Sequence, residues 1–495
     1  MSRTYRALVL AVRAILSVFF RRIEVSGLDN VPESAGGIIV AWHPNALVDP
    51  ALIFSSFPGR IVFGARHGLF SWPVIGSIMQ SIGCVPIYRA QDFPADAAED
   101  ARRTANQKSL TALSEAVAGG AFTALFPEGL SHDEPSPRAL KTGAARIYYQ
   151  SVAQTPADRP PPVVLPVGLH YDEKQLFGSS VLIVYHPPLE LEPHLREPPP
   201  ADASEEDRRD HYRALTEEIE LTLRNIVHAT ENWKIHQLLS RGRKLIRAER
   251  AARAGARLSA PDMAERVLAF SRLWTGYNEL KQTHPDEVDQ LLRRISRYDA
   301  ELAALVIEDH ELDTDPSASS QWMTIKLVLR ALTVFLVLPP VVLVGYLVNL
   351  PPAALVWIIS KRRSKAHKDA ATIKLLTGIV AFPAAWLTAA LIVAWIPGNL
   401  GSFNSVATAT SWLLGGVTFV LSAVSGLLTL HYQRFAILTL RAIRLRTTHS
   451  DHAMTLRVLR AERSGICDEM LRFAKGLELP GTVLEDGRVL DEGSF

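Results

Sequence analysis

The chain has 495 residues, enough for more than one core, and its 53 basic side chains nearly balance 51 acidic ones, giving a formal net charge of +2. That balance offers no global case for nucleic-acid binding, and two cysteines, Cys84 and Cys467, rule out a disulfide framework or a zinc ribbon.

The first element is "RALVLAVRAILSVFFRR" (6–22), apolar but interrupted by Arg13 and closed by Arg21 and Arg22. It is short for a membrane span and lacks a small-residue cleavage site. Residues 1–24 therefore read as a helix lying in the membrane interface with arginines reaching the headgroups; the alternative is an amphipathic helix packed on the following domain. Residues 25–207 alternate strand-like runs with helical stretches. The strands are "GGIIVAW" (36–42), "RIVFGA" (60–65), "GCVPIY" (83–88), "AFTALFP" (121–127), "PPVVLPVGLHY" (161–171) and "SSVLIVYHPPLEL" (179–191). A helix over 94–120 ends at Gly119 and Gly120. This is an α/β pattern, a mixed sheet flanked by helices, and "EPPPADASEED" (197–207) marks its boundary.

Residues 208–322 are charged, amphipathic and helical, with a break near Pro285. A membrane region follows over 323–446. Residues 331–360 carry no charge but hold proline pairs at 339–340 and 351–352, which predict a re-entrant hairpin; 375–396 and 407–430 each reach spanning length. The basic stretches 361–369 and 431–446, set against the uncharged 397–405, put the first two on the cytoplasmic side. With the hairpin, the α/β domain is cytoplasmic too, at an inner membrane in a bacterium or the endoplasmic reticulum in a eukaryote. Residues 447–495 read as a cytoplasmic tail.

Three blocks carry chemistry. "HPNALVD" puts His43 six positions before Asp49, a spacing expected roughly once by chance in such a chain. "GCVPIYRAQD" ends a strand at Arg89, and "FPEGLSHDEPSPRALK" brings Glu128 and Gly129 to a strand end and continues to Lys141. Each has a bland reading: Asp49 before Pro50 as a helix N-cap, Glu128-Gly129 as a turn, Arg89 as a solvated charge. Together they are specific, because all follow strands, where open α/β sheets place their sites.

With "VVLPVGLHY" as a fourth block in the same order, residues 25–195 resemble the glycerolipid acyltransferase (PlsC-like) family. Five residues between His43 and Asp49, and "FPEGLSHD" in place of "FPEGTRS", are similar to its glycerol-3-phosphate/dihydroxyacetone-phosphate acyltransferase branch. The helical stretch 272–302 and the C-terminal membrane segments resemble that branch less specifically. The resemblance implies a membrane-bound transferase moving a fatty acyl group from acyl-CoA or acyl carrier protein to glycerol-3-phosphate, at sn-1, or to dihydroxyacetone phosphate, with no cofactor. It supports a basic residue near Arg66, and it places a glutamate-glycine pair at the acceptor site. The arginine many relatives carry after that pair is absent here.

The residues suit that chemistry by themselves. His43 is competent as a base at neutral pH, Asp49 holds its tautomer and stabilises the imidazolium, and a thiol of pKa about 8.5 leaves without an activated serine. Arg89 is the first choice for the acceptor's phosphate, through a forked contact, with Arg66 and Lys141 secondary. His132-Asp133 is a rival dyad, while ligand spacing gives no support to a metal site from His43, Asp49, His132 and Asp133. "GSS" (178–180) lacks a nucleophile-elbow flank, against a serine hydrolase. The other readings are an acyltransferase that takes lysophosphatidic acid as acceptor, transacylation between lipids, a non-catalytic membrane lipid-binding protein, and a transporter, for which few intramembrane charges leave no pathway. Substrates and a lipid bilayer are the partners these readings share; no nucleic acid is among them, and the oligomeric state is open.

Overall fold

The computed structural model describes residues 3–88, 99–200, 202–256, 258, 260–313, 321–363, 367–399 and 407–491. They fall into two compact units, Met1–Ile235 with Ala366–Thr372, and His236–Lys365 with Ile373–Phe495.

In the first unit the chain runs α1 (Arg3–Phe19), β1 (Arg22–Ser26), β2 (Gly37–Ala41), α2 (Val48–Ser56), β3 (Ile61–Arg66), α3 (His67–Phe70), α4 (Pro73–Ser81) and β4 (Val85–Ile87). It continues through α5 (Glu99–Ala118), β5 (Phe122–Leu125), α6 (Gly143–Gln154), β6 (Val163–Tyr171), β7 (Ser180–Tyr185), α7 (Pro193–Arg196) and α8 (Glu205–Ile226). Seven strands form one sheet in the order β1-β7-β6-β2-β5-β3-β4, parallel except where β6 meets β7. The central strand β2 is buried along its whole length, which is why "GIIVA" has no polar alternation. The expected α/β domain is thus a mixed sheet flanked by helices.

Strand β1 has no counterpart among the expected strands. "RIEVS" is too short to show a period after the apolar run of α1, and its partner β7 lies far along the chain. The boundary expected at 207 also falls inside the unit. Leu215, Ile219 and Leu223 of α8 pack into the same core as Ile38, Val164 and Ile147, each such leucine contributing about 1.5–3 kcal/mol. Helix α1 packs on this unit as well: Tyr5, Leu16 and Phe19 are buried, and the Tyr5 hydroxyl accepts the Ile61 amide (3.1 Å). Arg13, expected to reach outward, donates instead to the Ser55 carbonyl at the end of α2 (2.7 Å), while Leu10 and Val18 on the other face stay exposed.

The second unit takes up most of α9 (Trp233–Arg253), then α10 (Met263–Thr283), α11 (Pro285–Leu305), α12 (Gln321–Leu332) and α13 (Leu338–Arg363). Next come α14 (His367–Asn399), α15 (Ala407–Asp451), α16 (Ala453–Phe473) and a hairpin of β8 (Thr482–Val483) and β9 (Val489–Leu490). The stretch expected as a tail is folded. Arg463 of α16 is 2% exposed and binds Glu249 Oε2 (2.8 Å), both Asp313 oxygens (2.7 and 2.8 Å) and the Asp309 carbonyl (2.7 Å). Asp309 also takes the Tyr298 hydroxyl and Arg241, so the buried guanidinium is compensated.

Two helices are long and apolar enough to cross a membrane, Lys368–Trp395 and Thr410–Leu445. The segment before them is bent by 86° between Thr324–Pro340 and Gly345–Arg363. Its break follows Pro339-Pro340, whose missing N–H groups cannot reach the carbonyls one turn back, and there the chain forms a π-helical turn, Thr333–Val337. Pro351 and Pro352 lie inside α13 without breaking it, so of the two proline pairs only the first coincides with a bend, the geometry of a broken span or of a re-entrant loop. Polar side chains tie these helices together. Asn349 of α13, 7% exposed, donates to the Gly345 carbonyl (2.9 Å) and to the Ser422 carbonyl of α15 (3.1 Å), and accepts from Trp386 Nε1 of α14 (2.8 Å). A Cβ at Gly426 would lie 2.9 Å from Asn349 Oδ1, so glycine is what allows that approach.

Candidate active site

The parallel strands β2, β5, β3, β4 and β6 end at one edge of the sheet. His43 follows β2, Glu128 follows β5, Arg66 closes β3 and Tyr171 closes β6. Arg89, expected just after β4, lies outside the described residues.

His43 and Asp49 meet. His43 Nδ1 lies 2.8 Å from Asp49 Oδ2, and Asp49 is fully buried at the start of α2. The aspartate is not the N-cap of that helix, a position held by Leu47. Its carboxylate instead serves three donors. Oδ2 takes the Asn45 amide (2.7 Å) together with His43, and Oδ1 takes the Tyr171 hydroxyl. Because a carboxylate only accepts, His43 carries its proton on Nδ1 and presents a basic Nε2, which has no partner among the described residues. Burial, with the Asp49 charge beside it, holds the Tyr171 hydroxyl well above the ordinary phenol range, so it remains a donor. The His43 ring stacks on Phe126, centroids 4.1 Å apart, and its side chain keeps 17% exposure. The loop between the pair turns through the left-handed region at Ala46 (φ 35°), a strained conformation for a residue with a Cβ.

Glu128 is joined to His43 by the main chain. Its Oε1 accepts the His43 amide (3.1 Å), and its Oε2 accepts the Arg138 amide (2.9 Å) and His132 Nε2. The His132 amide in turn donates to the His43 carbonyl (3.3 Å). This arrangement decides between the two dyads. His132 Nδ1 accepts the Glu134 amide (3.2 Å) while Nε2 is bound to Glu128, so both ring nitrogens are taken in a side chain 3% exposed. Asp133 is ion-paired with Lys174 Nζ (2.8 Å). His132 thus positions Glu128 and has no free nitrogen for a substrate's proton.

Gly129 has φ +74°, and a Cβ there would lie 2.7 Å from Lys141 Nζ, so the lysine side chain lies over the glycine. Lys141 itself is exposed. The segment 367–372 contributes at the same edge: Thr372 Oγ1 accepts the Leu47 amide (3.2 Å) and Lys368 Nζ donates to the Ser131 carbonyl (2.6 Å). Tyr171, His132 as a partner of Glu128, and residues 368 and 372 are what sequence reasoning missed. Only Tyr171 left a signal, at the end of the fourth block. Among the described residues, no three histidine, cysteine or acidic side chains converge as a metal-binding set.

Comparison with known proteins gives two family matches. Residues 22–170 match the acyltransferase family model, and residues 253–478 match the glycerol-3-phosphate acyltransferase 2 C-terminal domain. An uncharacterised acyltransferase of Schizosaccharomyces pombe is 26% identical over 271 residues, covering 52% of this chain and 38% of that protein. Glycerol-3-phosphate O-acyltransferase 2 of Saccharomyces cerevisiae is 22% identical over 301 residues, covering 56% of this chain and again 38% of the relative. Each alignment therefore spans well under half of the relative's length. The crystal structure of the 1-acyl-sn-glycerophosphate acyltransferase PlsC from Thermotoga maritima is similar with a TM-score of 0.30 and 18% identity, over 44% of this chain and 81% of that one.

Proposed function

We propose that this chain, which carries a PlsC-like acyltransferase domain followed by a glycerol-3-phosphate acyltransferase 2 C-terminal domain, transfers a fatty acyl group from an acyl thioester to glycerol-3-phosphate, making lysophosphatidic acid. The observation that carries this reading is the His43–Asp49 pair at the sheet edge, its Nδ1 fixed at 2.8 Å and its Nε2 open. His43 Nε2 takes the proton of the acceptor's hydroxyl as that oxygen attacks the thioester carbonyl carbon. The tetrahedral intermediate collapses with cleavage of the C–S bond, and the departing thiolate takes the proton back from the imidazolium. Asp49 stabilises the imidazolium between these two transfers, and Tyr171 and the Asn45 amide keep Asp49 in place. Glu128 holds the main chain of His43 and, with Gly129, shapes the acceptor side; Arg89, Lys141 and Arg66 are the cations offered to its phosphate. No cofactor is needed. The donor is acyl-CoA or acyl carrier protein.

The two long apolar helices support action at a bilayer, where donor chain and product both reside. The basic residues of 361–369 and 431–446 support a cytoplasmic site. The test is transfer from palmitoyl-CoA to labelled glycerol-3-phosphate by detergent-solubilised protein, with His43→Ala run in parallel. Product from the intact protein alone supports reaction and base together. Transfer only to lysophosphatidic acid moves the assignment to the acyltransferase that uses that acceptor. Equal rates from both proteins reject the dyad.

A further inference from the structure

The block "FPEGLSHD" (126–133) contains no lysine or arginine, yet a cation reaches it from far along the chain. Lys368 Nζ donates to the Ser131 carbonyl at 2.6 Å, across 237 positions of sequence. That carbonyl belongs to the same peptide group as the His132 amide, which donates to the His43 carbonyl at 3.3 Å. A peptide group is rigid and about 2.3 Å from its oxygen to its nitrogen, so the ammonium lies within about 8 Å of the His43 carbonyl oxygen. In a glycerol phosphate, five bonds separate the attacking hydroxyl oxygen from phosphorus, on the order of 6 Å. The ammonium's separation from the main chain of the base is thus of the same order as the acceptor's length.

The charge state of the surroundings points the same way. Lys174, from the loop between β6 and β7, also reaches this block but is neutralised by Asp133 at 2.8 Å. Lys368 is half-buried and has no carboxylate partner among the described residues; its only partner there is a neutral carbonyl. A partly desolvated ammonium of this kind is unfavourable unless an anion completes it. The lysine is also held independently of that hydrogen bond. Ala370 and Ala371 are buried, and Thr372 Oγ1 accepts the amide of Leu47, inside the loop that joins His43 to Asp49. One short segment therefore touches both the His43–Asp49 loop and the Glu128 block, and it brings there a cation with no carboxylate partner among the described residues.

We propose that Lys368 binds the phosphomonoester of the acyl acceptor and sets the acceptor's affinity. This rests on the acyl-transfer reading and extends it. The test is Lys368→Gln and Lys368→Arg against the intact protein, with separate KM values for glycerol-3-phosphate and palmitoyl-CoA. Loss of one charge-assisted contact is expected to raise KM for glycerol-3-phosphate about tenfold or more, to leave KM for palmitoyl-CoA unchanged, and to be largely restored by arginine. Inorganic phosphate should inhibit the intact protein competitively and the glutamine variant more weakly by a similar factor. An unchanged acceptor KM, a rise confined to the thioester KM, or a loss in kcat alone overturns the proposal. Calorimetric titration of inorganic phosphate into intact and Lys368→Gln protein tests the lysine without turnover. Weaker binding by the variant upholds the site even if no acyl transfer is found, and equal binding rejects it even if transfer is.

Discussion

Asp49→Asn isolates the charge of the dyad from its hydrogen bonds. In the structure, an asparagine oxygen in place of Oδ2 would keep both the His43 Nδ1 proton and the Asn45 amide. Its NH2 group would then face the Tyr171 hydroxyl, which can turn its proton away and accept. Every partner stays satisfied, so stability should change by less than about 1 kcal/mol. The rate should not survive so well. Opposite unit charges 2.8 Å apart at an effective dielectric constant of about 20 attract by about 6 kcal/mol, a ceiling on what Asp49 gives the imidazolium. With the proton about half transferred in the transition state, about 3 kcal/mol is lost, a fall in kcat of about 10². That is milder than the roughly 10⁴ seen when asparagine imposes the wrong histidine tautomer in a hydrolase triad, because Tyr171 lets the oxygen face the histidine. The assay is steady-state acyl transfer alongside thermal unfolding of the same detergent preparation. A kcat within threefold of the parent refutes the electrostatic role. A Tm lowered by more than about 5 °C refutes the hydrogen-bond accounting.

Glu128→Gln should behave in the opposite way, because Oε1 faces one N–H donor and Oε2 faces two, so either orientation sets the amide NH2 against a donor. A cost of about 1.5–3 kcal/mol and a Tm lower by several degrees are expected in calorimetry, with activity falling as His43 shifts; a Tm within 1 °C or so of the parent contradicts the assignment. Burial pushes His186 down to about 4. Between about pH 6.5 and that value the unfolded chain binds the proton and the folded one does not, so stability should fall as pH is lowered, by about 3 kcal/mol at full extent. His236 in the second unit acts with the same sign. Denaturation midpoints from pH 7 to 4.5 should decline less steeply in His186→Leu, and an identical slope would exclude His186 as a source.

What the sequence made legible is what repeats or stays local. The six expected strands are present because runs such as "GGIIVAW" are buried on both faces and need no partner to be recognised. His43 and Asp49 were readable as a pair because six positions let a loop and the first turn of a helix bring them together. The rest of the site depends on contacts that no local pattern encodes. Tyr171 reaches Asp49 across 122 positions, and Thr372 reaches Leu47 across 325. His132 resembled a base in one dimension; only the Glu134 amide on its second nitrogen shows that it is not one. In the membrane region, four prolines looked equivalent. Two coincide with a π-turn and a bend while two are absorbed by α13, a difference that proline spacing alone does not encode.

Among the apolar helices of the second unit, Asn349 has a consequence beyond the bonds it makes. One leucine-rich surface packs on another almost equally well in many registers, so oily surfaces alone give α13, α14 and α15 little reason to prefer one pairing over another. Sliding a helix by one residue moves a side chain about 1.5 Å along its axis and turns it by about 100°. Such a step would strip the Trp386 indole of its acceptor or the Asn349 amide of the Ser422 carbonyl, leaving a polar group without a partner among apolar side chains. A single amide read by three helices thus fixes both their depth and their rotation, and it does so by making every neighbouring register costly.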